Sequence, residues 1–506
     1  MTRLLRALVA MLLLCGVALS AFGCLPFKEK KTTAPTGDAS TAPSASTTAD
    51  EPTFQEVLEL YAAYDFGGDT YRIIASGENV FSEDAFGNGN VVSDVIYRRN
   101  RAVEALLSVE IEYVPVTQYT DTATLCRWIT SEWSNYEGRC DLVMLPAVSM
   151  GVLAVYGGLF VDLRTIGEMD LSDVWWSRSA VDALTVNGNT FLTVGAINHD
   201  AVYNSEVLLY NRDAFETLFP KRDLDRIVAN AQWTREQLLR FSVALPGHST
   251  MEYGYMGDVE SMAETLLISS ELSVFSTLSP SGYSFDLNAA SRLVDSLRTW
   301  GTMERANWHL SDDRGQSLEM FCNERTLFCS VRLRDLMGGA LDDLSFAWSL
   351  LPFPSFAEGE AYTTAVSGEY SALAIPVGCD PHRAAVVLNA LNAYDYYTVL
   401  PTMYNHMLSG KYAADQREAA MLDSILAARS FSFARIYGGD PEVNAGEYFL
   451  LLDSLLTGES IADLMRSRAK QVRDHWICVF RSFGHSLEEC EKFPPPDSLY
   501  SNEVMG

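Results

Sequence analysis

Aromatic side chains stand beside carboxylates, amides or guanidinium groups at several loops of the chain. Glu78 and Asn79 follow the apolar run Tyr71-Arg72-Ile73-Ile74-Ala75. Asn198, Asp200 and Tyr203 precede the run Val207 to Tyr210. Tyr253 and Tyr255 share a glycine-containing loop with Asp258, and Trp308 stands next to His309. Arg332 and Arg334 follow Thr326 to Val331, and Glu369-Tyr370 comes just ahead of Ala372 to Ile375. Such groupings suit non-covalent capture of a hydroxyl-rich ring: a flat aromatic covers the apolar face, and a carboxylate accepts from two adjacent hydroxyls. A buried carboxylate without such partners costs stability. Each grouping also has a structural alternative. These are a turn or helix cap for Glu78 and Asn79, a solvated loop for Asn198 to Tyr203, and packing for Tyr253 and Tyr255. Trp308 would be a surface aromatic, the arginines a surface ion pair, and Glu369 and Tyr370 a hinge.

Signals for covalent chemistry are weak. No nucleophile elbow, zinc-type HExxH, P-loop or Cys/His arrangement stands out, so no catalytic residue, cofactor or metal is assigned. With 66 acidic residues, a carboxylate pair for glycoside hydrolysis stays open. The seven histidines show no metal-ligand clustering. After Cys15 and Cys24, seven cysteines remain; Cys126 with Cys140, Cys322 with Cys329, and Cys478 with Cys490 are near-neighbour candidates for bridges, leaving Cys379 over. Connectivity does not follow from spacing, and buried thiols are the alternative.

The elements that must position these residues alternate. Strand, helix, strand, helix, strand fits between Tyr71 and Leu145, with Ile96, Val103, Leu106 and Leu107 at helical spacing and Asp141 to Leu145 as a short buried strand. That order predicts a parallel sheet with crossover helices, whose ligands bind beyond the strands' C-terminal ends. Thr190 to Val194 and Val207 to Tyr210 are predicted strands of a second lobe, followed by helices from Thr234 to Trp300. Trp233 is expected to pack the start of a helix capped by Thr234, Asn211 to tie backbone at a strand end, and Trp175 and Trp176 to seal the lobe junction.

The first residues read as an export leader. Arg3 and Arg6 precede an apolar run from Ala7 to Ala21 that is short for a membrane span. Cys24 after Gly23 points to lipoprotein-type cleavage with Cys24 acylated, although Ala21 and Phe22 depart from the usual pattern. Leu25 to Thr53, mostly Lys, Thr, Ala, Ser, Pro and Asp, is expected to be a disordered tether. The formal charge of −29 argues against nucleic acid as a partner. About 450 further residues suffice for a large core and two lobes.

Six local stretches occur in the order of a known family. They are Asp141 to Pro146, Gly157 to Leu163, Asp170 to Trp176, Leu208 to Phe215, Gln232 to Leu238 and Trp348 to Pro354. In them the chain resembles the family 1 extracellular solute-binding proteins of ABC importers, the wider group that includes maltose-binding protein. The resemblance spans roughly residues 70 to 470. It implies a two-lobed α/β fold, each lobe a largely parallel sheet flanked by helices, joined by hinge crossings that close on a solute. It places residues ahead of Val207 in the cleft. It also implies a carbohydrate ligand, an ABC permease partner, a monomer outside the cell, and membrane contact through the lipid alone. The expected division is a leader at 1–23, lipidated Cys24 and tether at 24–53, and a first lobe at 54–168 plus about 320–366. A second lobe follows at 169–319 plus about 367–472, with a tail at 473–506. The alternative roles are a ligand-presenting sensor of the same fold or a secreted glycosidase.

Overall fold

The computed structural model describes residues 52–76, 91–116, 139–245, 251–269, 275–279, 282–285, 308–311, 314–337, 339–366, 370–408, 416–438 and 447–484, with short pieces at 124–126, 129, 290–292 and 294–295. Its strands are β1 (Asp69–Ala75), β2 (Val109–Pro115), β3 (Leu142–Pro146), β4 (Glu206–Asn211), β5 (Tyr253–Asp258), β6 (Phe275–Ser279), β7 (Gly282–Phe285), β8 (Trp308–Ser311), β9 (Thr326–Arg332), β10 (Trp348–Leu351), β11 (Thr364–Ala365), β12 (Ser371–Ala374) and β13 (Arg429–Ser430). One sheet has the order β12-β3-β1-β2 and a second has β10-β4-β9-β5-β8. β6 with β7, and β11 with β13, form small separate pairs.

In the first sheet β1 lies parallel to β2 and β3, and β12 runs antiparallel on β3 with Ser371 opposite Pro146. In the second, β5 is parallel to β8 and β9, while β4 is antiparallel to β9 and β10. Each sheet is therefore mixed but largely parallel, with one antiparallel strand, β12 in the first and β4 in the second. β4 and β12 are buried along their whole length, as strands covered on both faces require. The helix Val91–Leu107 presents Val92, Ile96, Val103 and Leu107 as a buried stripe. Asp380 caps the helix Pro381–Tyr394, with Pro381 in the first turn where its missing N–H costs nothing.

The two returns of the chain are exchanged relative to expectation. β9 and β10, within the segment expected to rejoin the first lobe, pair with β4 in the second sheet. β12, expected in the second lobe, pairs with β3 in the first. Residues 169–197 also stay with the first lobe: Thr193 and Leu373 exchange backbone hydrogen bonds of 3.1 and 2.8 Å, and Trp175 and Trp176 pack into that lobe's outer core. A strand that is apolar on both faces carries no periodicity to say which sheet it joins; long-range register decides it. Nor is residue 473 a boundary, because the helix Ile461–Ser482 runs through it and buries Trp476, Val479 and Phe480.

The chain passes between the sheets at 198–205, between Val366 and Tyr370, and along a helix that begins as Pro381–Tyr394, widens into a π turn at Asp395–Val399 and continues as Leu400–Leu408. One apolar core lies on the outer side of the first sheet. The other runs without a break from Ile74, Val143 and Leu145 of the first sheet to Val207, Phe328 and Leu350 of the second.

Trp233 anchors the second lobe. It is fully buried, its Nε1 donates to the Pro352 carbonyl at 3.0 Å, and the Thr234 hydroxyl accepts from Gln237 N at the helix start. Trp233→Ala is expected to cost about 3–5 kcal/mol through the cavity it leaves. Trp233→Phe is expected to cost about 1–3 kcal/mol through the stranded Pro352 acceptor. Urea unfolding of both variants checks the pair.

Candidate functional site at the lobe crossings

The register of both sheets points their C-terminal strand ends at the crossings. β12 leaves the second crossing beside the end of β3, and β4 leaves the first crossing beside the end of β9, with Glu206 opposite Arg332. Between these edges lie Asn198, Asp200, Tyr203, Arg332 and Tyr370, so five of the expected ligand residues share one region. Asn198 is buried; its Nδ2 donates to the Ser371 carbonyl at 2.9 Å, and its Oδ1 accepts from Gly195 N at 2.8 Å. The Ser371 amide donates to Asp200 Oδ2 at 2.7 Å, while Asp200 Oδ1 is buried with no hydrogen-bond partner among the described residues. Burial pushes the Asp200 carboxyl above its ordinary 3.8, against the Ser371 bonds that favour its charged form. Burial, helped by Asp200, pushes the half-buried Tyr203 hydroxyl up to about 12.

Tyr370 is 1% exposed, its ring edge-on to Phe431 at 5.4 Å, and its carbonyl accepts from Ala147 N at 2.8 Å. Arg332 donates from Nε to Glu206 at 3.0 Å and from Nη1 to Asn204 at 3.2 Å, a part-buried pairing rather than a surface one. Arg334 also donates to Asn204. Tyr253 and Trp308 belong elsewhere. Tyr253 begins β5, at the end away from the crossings, beside His309, and Trp308 is level with Tyr255 in the second sheet. Tyr255 is a core residue whose hydroxyl donates to Ser330 Oγ at 3.0 Å. Glu78, Asn79, Glu369, Cys24 and Cys490 lie outside the described residues.

The expected Cys126–Cys140 bridge is absent, and both are free buried thiols. Cys126 Sγ donates to the Ser149 carbonyl at 3.6 Å and Cys140 Sγ to that of Leu142 at 3.1 Å. Burial pushes both thiols up to about 12, which keeps them protonated and unreactive. Cys322, Cys329 and Cys379 are free as well.

Sequence reading missed the ionic part of this region. Arg99 Nη1 and Asp395 Oδ2 lie 2.5 Å apart with both side chains fully buried, and His199 Nε2 is 3.3 Å from the same oxygen. Asn392 Oδ1 accepts from Ile197 N at 3.1 Å. Arg435 Nε donates to Glu264 at 2.9 Å, with its guanidinium 5.9 Å above the Tyr370 ring. A signal existed for Arg99, which interrupts the apolar stripe of Val91–Leu107. Among the described residues no group of three or more His, Cys, Asp or Glu is placed to hold a metal ion.

Asp395→Leu or Arg99→Met leaves an uncompensated buried group and is expected to cost about 3–5 kcal/mol, whereas the double variant Arg99→Met/Asp395→Leu recovers most of the loss. A double-mutant cycle in urea reads this. Asp200 sets a pH dependence. Its folded value is raised, so above 3.8 the unfolded chain loses the proton first and stability falls as pH rises until the folded group ionises too. Asp200→Asn removes that fall. The stability of the variant relative to the parent is expected to increase from pH 4 upward, then level off, in urea titrations at a series of pH values.

No protein-family model matches this sequence, and no curated protein sequence matches it. Solved structures do. The chain is similar to a sugar transporter protein from Rhizobium etli in an open conformation, with TM-score 0.54 and 13% identity over 80% of this chain and 99% of that one. It is also similar to UgpB from Mycobacterium tuberculosis in complex with glycerophosphocholine, with TM-score 0.51 and 14% identity over 82% of this chain and 99% of that one. With the topology above, these likenesses establish the fold: two α/β lobes of the periplasmic-binding-protein type, joined by crossings.

Proposed function

We propose that this chain is an extracellular solute-binding lipoprotein that captures a carbohydrate at the lobe crossings and delivers it to an ABC permease, with no covalent chemistry. The observation that carries the reading is the convergence of both sheets' C-terminal strand ends on the crossings, where open α/β sheets hold ligands. Tyr203 supplies an aromatic ring there, Asp200 and Arg332 supply polar groups, and Tyr370, packed on Phe431, backs them. Glu78, Asn79 and Glu369 complete the proposed ligand set from the loops flanking β1 and β12. The leader, Cys24 and the Lys/Thr/Ser/Pro-rich tether support anchoring by lipid alone and a monomer held off the membrane. No helix among the described residues is long and apolar enough to cross a membrane.

Capture works by population shift. A ligand that touches both lobes favours the closed arrangement by its differential affinity for it, and the permease reads that shape. Thermal unfolding against oligosaccharides, monosaccharides, glycerophosphodiesters, peptides, polyamines and metals tests the proposal. A cognate sugar at a hundredfold excess over Kd is expected to add about 2.7 kcal/mol of stability, with saturation and no turnover. A rise with peptides or metals alone overturns the carbohydrate assignment. Hydrolysis of the same glycans overturns the binding role in favour of an enzyme.

A further inference from the structure

We infer that the C-terminal helices Phe433–Tyr437, Glu447–Thr457 and Ile461–Ser482, with Phe483 at their end, form a strap that fastens one lobe to the other and limits how far they separate. The helix Phe433–Tyr437 follows β13, whose partner β11 lies just ahead of the second crossing. It packs on Ala147–Val152, the first-lobe helix that follows β3. The approach is backbone to backbone, since a Cβ on Gly151 would lie 1.9 Å from the Ile436 carbonyl oxygen. Glu447–Thr457 then packs on Val259–Ile268 of the second lobe. The same lobe is gripped by Arg435, whose ion pair with Glu264 leaves the two side chains 9% and 7% exposed. Ile461–Ser482 returns to the first lobe, against the π turn Leu153–Gly157.

Its end is held there. Asn187 and Asn189 donate to the Phe483 carbonyl at 3.1 and 2.9 Å, and the Phe483 ring lies 5.1 Å from Phe191 and 5.2 Å from Tyr437. Inside the segment, Trp476 stacks on Phe433 at 5.6 Å, and His475 Nε2 is 2.6 Å from the Tyr437 carbonyl oxygen. The segment therefore moves as one body with a grip on each lobe. Any opening about the crossings must release either the Gly151 and Phe483 contacts or the Glu264 contact. Packed apolar interfaces of this kind separate as a unit rather than stretch. The strap is independent of which solute binds, and of whether one binds.

Small-angle scattering and hydrogen exchange on the full chain, without added solute, test the strap. Phe483→Ala, and separately the milder Asn187→Ala/Asn189→Ala, loosen the first-lobe grip. Each is expected to raise the radius of gyration and to speed exchange at 147–152 and 433–437 together at least tenfold, with β1, β3, β4 and β9 protected as in the parent. An unchanged radius with unchanged exchange at 147–152 overturns the strap. So does an equal loss of protection in all four strands, since the segment is then ordinary core. If Phe483→Ala does not fold, the double asparagine variant decides by the same readings. A failed solute panel leaves these readings untouched.

Discussion

The amide of Ser371 donates to Asp200, and its carbonyl accepts from Asn198. Through these bonds the first crossing holds the second at the point where β12 enters the first sheet. Asn392, on the helix that makes the third crossing, holds the first by accepting from Ile197 N, and Asp395 on the same helix lies 3.3 Å from His199 Nε2. The crossings are thus joined in one buried polar knot. Burial makes the knot specific, because Asn198, Ser371 and Asn392 would lose partners in any other arrangement. Two sheets that wind separately gain a fixed relation from it, and the strand ends that face a ligand gain a common floor.

The knot also constrains chemistry. Asn198 bonds Ser371 and Gly195, and Arg332 bonds Glu206 and Asn204. Asp200 Oδ1 has no hydrogen-bond partner among the described residues, and the buried Tyr370 ring packs on Phe431. The apolar core continues from one sheet to the other beside this knot, so the lobes meet on hydrophobic side chains as well as on polar ones. Separating them exposes apolar surface, which opposes opening in proportion to the area uncovered.

Much of this was legible residue by residue. Thr234 caps its helix, Asn211 accepts from Ala214 N at a strand end, and Trp233 packs where its neighbours required. Trp175 and Trp176 do pack away from solvent, though within one lobe's core rather than between lobes. The mistaken parts share a cause. β9, β10 and β12 are buried on both faces, so nothing local distinguishes one sheet from the other. Tyr255 looked like a ligand aromatic because glycines flank it. Those glycines instead let backbone and side chains crowd the strand: a Cβ at Gly257 would come within 2.4 Å of Ser330 Oγ and of the Tyr255 hydroxyl.

The sequence alone determined the α/β alternation and the helix caps. Those features rest on contacts within a few residues, or on composition. Only the tertiary structure decided which sheet receives β9, β10 and β12, that Cys126 and Cys140 stay apart as thiols, and that Arg99, His199 and Asp395 meet. Asp395 is 296 residues from Arg99. A pair so distant leaves only a charge within an apolar stripe as its local mark, and its partner is set by how the crossings bring the lobes together.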